Sequence, residues 1–135
     1  METTQVSGPG NGYRQSAALN AACPIRDVLD RVGDKWSSLV LLSLRDGTKR
    51  FGMLRREIDD ISQRMLTETL RKLQRDGFIA RKVIPSTPPQ VEYSLTPMGQ
   101  SLQGALGLLA EWSAQHHPDI RAARDAFDAQ AEAMA

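Results

Sequence analysis

The chain has a single cysteine, Cys23, in 135 residues. No internal disulfide is therefore available, and any disulfide or adduct must join it to another molecule. No apolar run approaches the roughly 18 residues of a membrane span, which excludes a transmembrane helix. The opening METTQVSGPGNG has neither a basic start nor an apolar centre, which argues against a secretory signal. The cytoplasm is the expected compartment. Also lacking are an internal repeat, a phosphate-cradling glycine loop, a nucleophile beside a base, and a cysteine–histidine set at metal-ligand spacing. No enzymatic activity, cofactor or metal is expected. His116 and His117 do not change this, because neighbours on a helix point ~100° apart and no nearby cysteine completes a ligand set. Asp59 and Asp60 fit turn chemistry better than paired catalytic acids.

What is present amounts to one domain. The length suffices to bury a core without disulfides, and 41% apolar residues suit a globular chain. The net charge of +1 conceals a segregation. From Arg45 to Lys82 there are 11 Lys or Arg against 6 Asp or Glu, while the remainder holds 6 against 10. Such a bias is expected where one face meets phosphates. A helix-rich segment with solvated arginines accounts for the charge equally well, so the choice rests on pattern.

The pattern is clearest from Ile61 to Ile79. Leu66, Leu70 and Leu73 fall at i, i+4 and i+7, flanked by Met65 and Thr69, and stack on one side of a helix. Arg64, Thr67, Glu68, Arg71 and Arg75 point the other way. Ser62 is placed to cap the first turn, and Gly77 to end the helix in a left-handed conformation. A helix held by its back, with arginines and small hydrogen-bonding groups in front, suits the DNA major groove.

The neighbouring segments complete a motif. Residues 1–12 read as a disordered tail, and Tyr13 to Ala22 as a weak helix. Pro24 to Val32 carries an apolar stripe of Ile25, Val28, Leu29 and Val32, with proline in its first turn. Asp34 caps Lys35 to Arg45, a helix apolar most of the way round and so the expected centre of the core. Lys49 to Ile58 reads as a short helix anchored by Phe51, Leu54 and Ile58. With the Asp59-Asp60-Ile61 turn and the helix after it, this makes a helix-turn-helix. Ile79 to Ile84 and Val91 to Leu95 read as strands around a proline-rich loop, hence a β-hairpin wing. Thr96 caps a helix with Pro97 in its first turn. Met98, Leu102, Ala105, Leu109, Trp112 and His116 then give a seven-residue repeat, the pattern of a helix laid along another helix. Pro118 is expected to break it, leaving a separate alanine-rich helix from Arg121 to Met134 that carries Ile120, Ala123 and Phe127 nearby.

This order of parts resembles the HxlR-type winged-helix transcriptional regulators of bacteria, relatives of the MarR group. The resemblance is carried by Cys23-Pro24, by Gly33-Asp34-Lys35-Trp36, and by Arg50-Phe51 with Leu54 and Ile58. It continues in Ile61-Ser62, Met65-Leu66-Thr67, Leu70, Leu73, Asp76-Gly77 and Ile79, and closes in Tyr93-Ser94-Leu95-Thr96 with Gly99. It spans about Ala22 to Leu109. The expected fold is mainly α with a small β-hairpin wing (α+β), a winged helix-turn-helix with flanking N- and C-terminal dimerisation helices. The expected division is a tail 1–12, a winged domain with dimerisation helices 13–117, and a helical extension 118–135. The resemblance implies a homodimer on operator DNA, and in some members a redox- or electrophile-sensing cysteine at the position of Cys23.

The candidate residues follow. Gln63, Arg64 and Thr67 lie at the end of the recognition helix that usually reaches base edges. Arg grips guanine and Gln adenine with two hydrogen bonds, roughly 1–3 kcal/mol of discrimination each. The bland alternative for Arg64 is a surface pair with Glu68. Arg71 and Arg75 suit phosphates or solvent, and Ser62 a helix cap whose amides also favour a phosphate. Lys49 and Arg50 are placed to clamp the backbone from the start of the first motif helix, and Arg81 and Lys82 to touch it from the wing, ahead of Gln90 at the tip. Cys23 stands at a helix start that lowers a thiol pKa; a small buried apolar residue is the alternative. Met98, Leu102, Ala105, Leu109 and Trp112 are the expected dimer seam. A small-molecule effector between the central and C-terminal helices, near Trp36 and Trp112, is a second route to a switch. The rival function is a winged-helix protein-interaction module whose basic face meets an acidic partner.

Overall fold

The computed structural model describes residues 23–135. The expected tail 1–12 and the expected helix at 13–22 lie outside the described residues. The elements run α1 (Pro24–Val32), α2 (Lys35–Ser43), a 3-10 turn (Leu44–Asp46), β1 (Lys49–Arg50), α3 (Phe51–Glu57), α4 (Gln63–Arg75), β2 (Ile79–Ile84), β3 (Gln90–Leu95) and α5 (Pro97–Met134). This is a mainly helical winged helix-turn-helix with a small antiparallel sheet, ordered β1-β3-β2.

Three capping side chains set the boundaries that the sequence marks. The Asp34 carboxylate accepts from the Trp36 amide at 3.1 Å, and the Ser62 hydroxyl from the Met65 amide at 3.0 Å. The Thr96 hydroxyl accepts from the Gly99 amide at 3.0 Å and donates to the Gly77 carbonyl at 2.6 Å. Each satisfies a backbone group that a helix end leaves open. Thr96 thereby also ties the start of α5 to the end of α4. Gly77 takes φ 84°, as the stop after α4 requires.

The core sits where α2 meets α4 and α5. Val40, Leu41, Leu54, Leu66 and Leu73 are each 0% exposed. Leu66, Leu70, Leu73 and Thr69 form the buried back of α4, as the i, i+4, i+7 spacing dictates. Met65, expected beside them, is instead exposed, and so is Leu39 on α2. An ion pair between Arg31 and Asp76 joins α1 to the C-terminal end of α4.

Two sequence expectations need correction. Lys49 and Arg50 do not begin a helix; they form β1, paired with Tyr93 and Glu92 on β3, and α3 starts at Phe51. Pro118 does not break the C-terminal helix, because α5 runs unbroken for 38 residues through it. Proline removes one backbone donor and crowds the carbonyl four residues back, and that carbonyl belongs to exposed Ala114, where water can reach it. The face that α5 turns to its own core is Gly99, Gln103 and Leu106; of the expected seam from Met98 to Trp112, Leu102 packs against that core.

Lys49 shows what β1 accomplishes. Its side chain is only 11% exposed and its ammonium lies 2.5 Å from the Glu57 carboxylate. The Ser43 hydroxyl donates to the same carboxylate at 2.7 Å. These bonds, Lys49 first and Ser43 second, hold the Glu57 carboxyl below its ordinary 4.5. A carboxyl lowered by folding stabilises the native state at neutral pH, and the benefit disappears as pH falls through the lowered value. Glu57→Gln is thus expected to be less stable than wild type at pH 7, with the gap closing in acid. Urea denaturation at several pH values checks this; a gap independent of pH contradicts it.

Candidate nucleic-acid interface

The front of α4 is open from end to end. Gln63, Arg64, Thr67, Glu68, Arg71, Lys72, Gln74 and Arg75 are exposed, while the back is packed. Ser62 is committed to the cap. The Thr67 hydroxyl donates to the Gln63 carbonyl at 2.8 Å, so its methyl group and a free lone pair remain for a ligand. Arg64 pairs with Glu68 at 3.2 Å with its side chain 89% exposed. An exposed pair one turn apart is worth about 0.2–0.5 kcal/mol, far less than the roughly 1–3 kcal/mol of a bidentate base contact. The pair is therefore too weak to prevent the use of Arg64.

Strand register sorts the remaining basic residues onto two faces. Directly opposed residues in an antiparallel sheet share a face. Arg81 opposes Tyr93, and Tyr93 opposes Lys49; Lys82 opposes Glu92, and Glu92 opposes Arg50. One face of the wing therefore carries Arg81 beside the Tyr93 ring. The other carries Arg50 and Lys82 on either side of Glu92. Arg81 joins α4: a groove of about 340 Å³ is lined by Thr67, Leu70, Arg71, Gln74, Arg81 and Tyr93. Thus Thr67, Arg71 and Arg81 are brought together, while Arg50 and Lys82 form a separate pair on the wing's other face. Lys49 shares the face of Arg81 and Tyr93 but lies across Tyr93 from Arg81 and outside the groove, its charge held by Glu57. Gln74 was missed from sequence, although it lies one helical turn after Arg71 on the same side, which spacing alone could have revealed.

The turn between α3 and α4 is built by Asp59 and Asp60, with Asp60 at φ 70°. Aspartate tolerates this left-handed conformation better than most residues, so the two acids serve the turn. His116 has a structural account too: its ring stacks on Trp112 with centroids 4.6 Å apart, and its Nδ1 lies 3.0 Å from the Trp112 carbonyl. Among the described residues no cluster of three His, Cys, Asp or Glu could hold a metal ion. No helix among them is long and apolar enough to cross a membrane.

Cys23 occupies the N-cap position of α1 and is 4% exposed. The helix start that the sequence places beside it is present, but the thiol is buried. Away from these sites lies an apolar surface. Val28 and Leu29 on α1, Leu39 on α2, and Leu108, Leu109 and Trp112 on α5 are exposed.

Known proteins supply a comparison. The pattern of HxlR-like helix-turn-helix proteins matches residues 31–121. The HTH-type transcriptional regulator YtfH of Escherichia coli is 45% identical over 103 residues, covering 76% of this chain and 82% of that protein. The solved structure of the transcriptional regulator YtfH from Salmonella typhimurium superposes with a TM-score of 0.73 at 42% identity, covering 79% of this chain and 96% of that one. The redox regulator HypR in its reduced form gives a TM-score of 0.70 at 38% identity, covering 73% of this chain and 98% of that one.

Proposed function

The chain belongs to the HxlR-like helix-turn-helix family of transcriptional regulators; from that premise we propose that it acts in the cytoplasm as a homodimer that binds a specific inverted-repeat operator. The observation that carries this reading is the open front of α4, seated on a fully buried leucine back and sharing one groove with the wing. In this reading Gln63, Arg64 and Thr67 meet base edges at the helix start, and Arg71 and Arg81 grip the phosphates flanking the groove. The Ser62 cap leaves the first amides of α4 facing the backbone. Arg50 and Lys82 add phosphate contacts from the wing's outer face. Lys49 is dropped from the set, because binding DNA would mean surrendering its bonds to Glu57 and Ser43.

The dimer places two such fronts on one side of the duplex, with half-sites about one turn, ~34 Å, apart. The exposed apolar residues of α1 and α5 are the surface for this pairing, with Met98, Leu102, Ala105, Leu109 and Trp112 on the α5 side. A protein-interaction module is the weaker reading, since an acidic partner asks for positive charge but not for a helix front of Gln, Arg and Thr at base-reading spacing. Electrophoretic shifts test the assignment. Arg64→Ala is expected to weaken cognate-site binding at least tenfold and to relax preference at one base pair. Unchanged affinity together with unchanged preference removes Arg64 from the reading set.

Modification of Cys23 is the switch that the likeness to a redox regulator favours; a small ligand is the alternative. Oxidising a thiol that is 4% exposed forces the start of α1 to move, and α1 is tied to α4 through Arg31 and Asp76. Diamide or a quinone is expected to change the DNA affinity of wild type but not of Cys23→Ser. Equal responses in the two proteins exclude the switch.

A further inference from the structure

Helix α5 keeps a single apolar line over its whole length. On a straight helix at about 100° per residue, the line from Met98 through Leu109 and His116 continues through Ile120, Ala123, Phe127 and Met134, all within about 40° of one direction. Between His116 and Phe127 the spacing is 4-3-4, an 11-residue step that returns to the same side. Pro118 points about 160° away from that side. The line is distinct from the Gly99, Gln103 and Leu106 face that packs on the protein's own core. Met98, Leu109, Trp112 and Phe127 are 52%, 58%, 49% and 69% exposed. Residues 122–134 are exposed throughout, and they lie past the part of the chain that matches the family.

We propose that a second copy of this chain covers the line, with the two α5 helices antiparallel and the two-fold axis at His116. The proposal rests on the homodimer reading above and extends it through the C-terminal segment. Every residue then meets the one equally far on the other side of His116. Ala105 meets Phe127 and Leu109 meets Ala123, small against large in both cases. Trp112 meets Ile120, and Met98 meets Met134. Leu102 alone meets a polar group, Gln130. An axis at Leu109, the middle of the Met98–Ile120 stretch, leaves Phe127 facing position 91, beyond the start of the partner helix.

Spacing favours the same axis. Gln103, where α5 is buried against the core, lies 13 residues before His116. At 1.5 Å per residue the two attachment points are about 39 Å apart, close to the ~34 Å turn of DNA. An axis at Leu109 gives only about 18 Å. The C-terminal half of α5 thus has a defined occupant and sets the separation of the two domains.

Cross-linking of the full chain tests the register. In a Cys23→Ser background, His116→Cys is expected to form a disulfide-linked dimer on mild oxidation, and Leu109→Cys to form little. Phe127→Asp, at a residue exposed in the monomer, is expected to raise the dimer dissociation constant at least tenfold by analytical ultracentrifugation. Efficient linkage through Leu109→Cys but not His116→Cys overturns the proposal. So does an unchanged dissociation constant for Phe127→Asp. A dimer in which neither cysteine links refutes this seam while leaving the homodimer intact; a wild-type monomer refutes both.

Discussion

Gly99→Ala is expected to destabilise the domain by about 3 kcal/mol or more, enough to leave much of a marginally stable protein unfolded. A Cβ built on Gly99 lies 1.9 Å from the Phe78 carbonyl oxygen and 2.9 Å from its carbon. Those are backbone atoms, and the same carbonyl accepts from the Thr96 amide at 3.0 Å. The start of α5 cannot recede without also losing the Thr96 bond to Gly77. Gly104, one turn and a residue further along, meets nothing within 4 Å. Gly104→Ala is expected to stabilise by about 0.5–1 kcal/mol through helix propensity alone. Urea denaturation of both variants, at constant slope, separates close approach from propensity. Equal effects would show that the contact at Phe78 carries no weight.

Affinity for DNA is expected to fall ~10³–10⁵-fold between 50 and 200 mM salt. That is the response of a protein neutralising about 6–10 phosphates, because each contact releases condensed counterions. Arg50, Arg71, Arg81 and Lys82 from each of two subunits supply contacts of this number. Their placement on two faces of the wing makes the prediction more specific. Arg81→Ala and Lys82→Ala are each expected to reduce the salt slope by about one unit per subunit. Arg81→Ala is also expected to disturb α4 readout through the shared groove, whereas Lys82→Ala leaves base preference unchanged. Lys49→Ala is expected to lower stability and leave the slope alone. Fluorescence anisotropy titrations across salt concentrations measure all four proteins. A slope insensitive to Arg81 and Lys82 but reduced by Lys49→Ala would reverse the assignment.

The parts legible in the sequence are those fixed by local chemistry. Ser62, Asp34 and Thr96 cap the helices they precede because a side-chain oxygen two or three residues before an open amide has little else to do. Leu66, Leu70 and Leu73 share a face by helical period, and the hairpin is marked by the proline-rich loop and the alternation of Val91 to Leu95 after it. What escaped was set by distant partners. β1 is two residues long, too short to show alternation, and exists because β3 offers it a pairing edge. Lys49 looked like a DNA clamp because nothing nearby in sequence reveals that Glu57 folds back onto it. Pro118 carries a strong local breaking signal, yet the alanine-rich stretch from Arg121 favours helix and the residue bearing the affected carbonyl, Ala114, is exposed. The face that α5 buries on its own core was not legible, because Gly99 and Gln103 carry no apolar signal. The split of α4 into a buried leucine back and an exposed polar front was the most legible part of the candidate site. The grouping of that front with Arg81 needed the strand register and the third dimension.

Hydroxyl-radical footprinting on the promoter beside the protein's own gene tests the central claim most directly. The account predicts two protected patches about one helical turn apart, on one face of an inverted repeat, both abolished when Arg64 and Arg71 are replaced by alanine. A dimeric protein that protects no sequence in preference to another, or whose protection survives that double replacement, contradicts it.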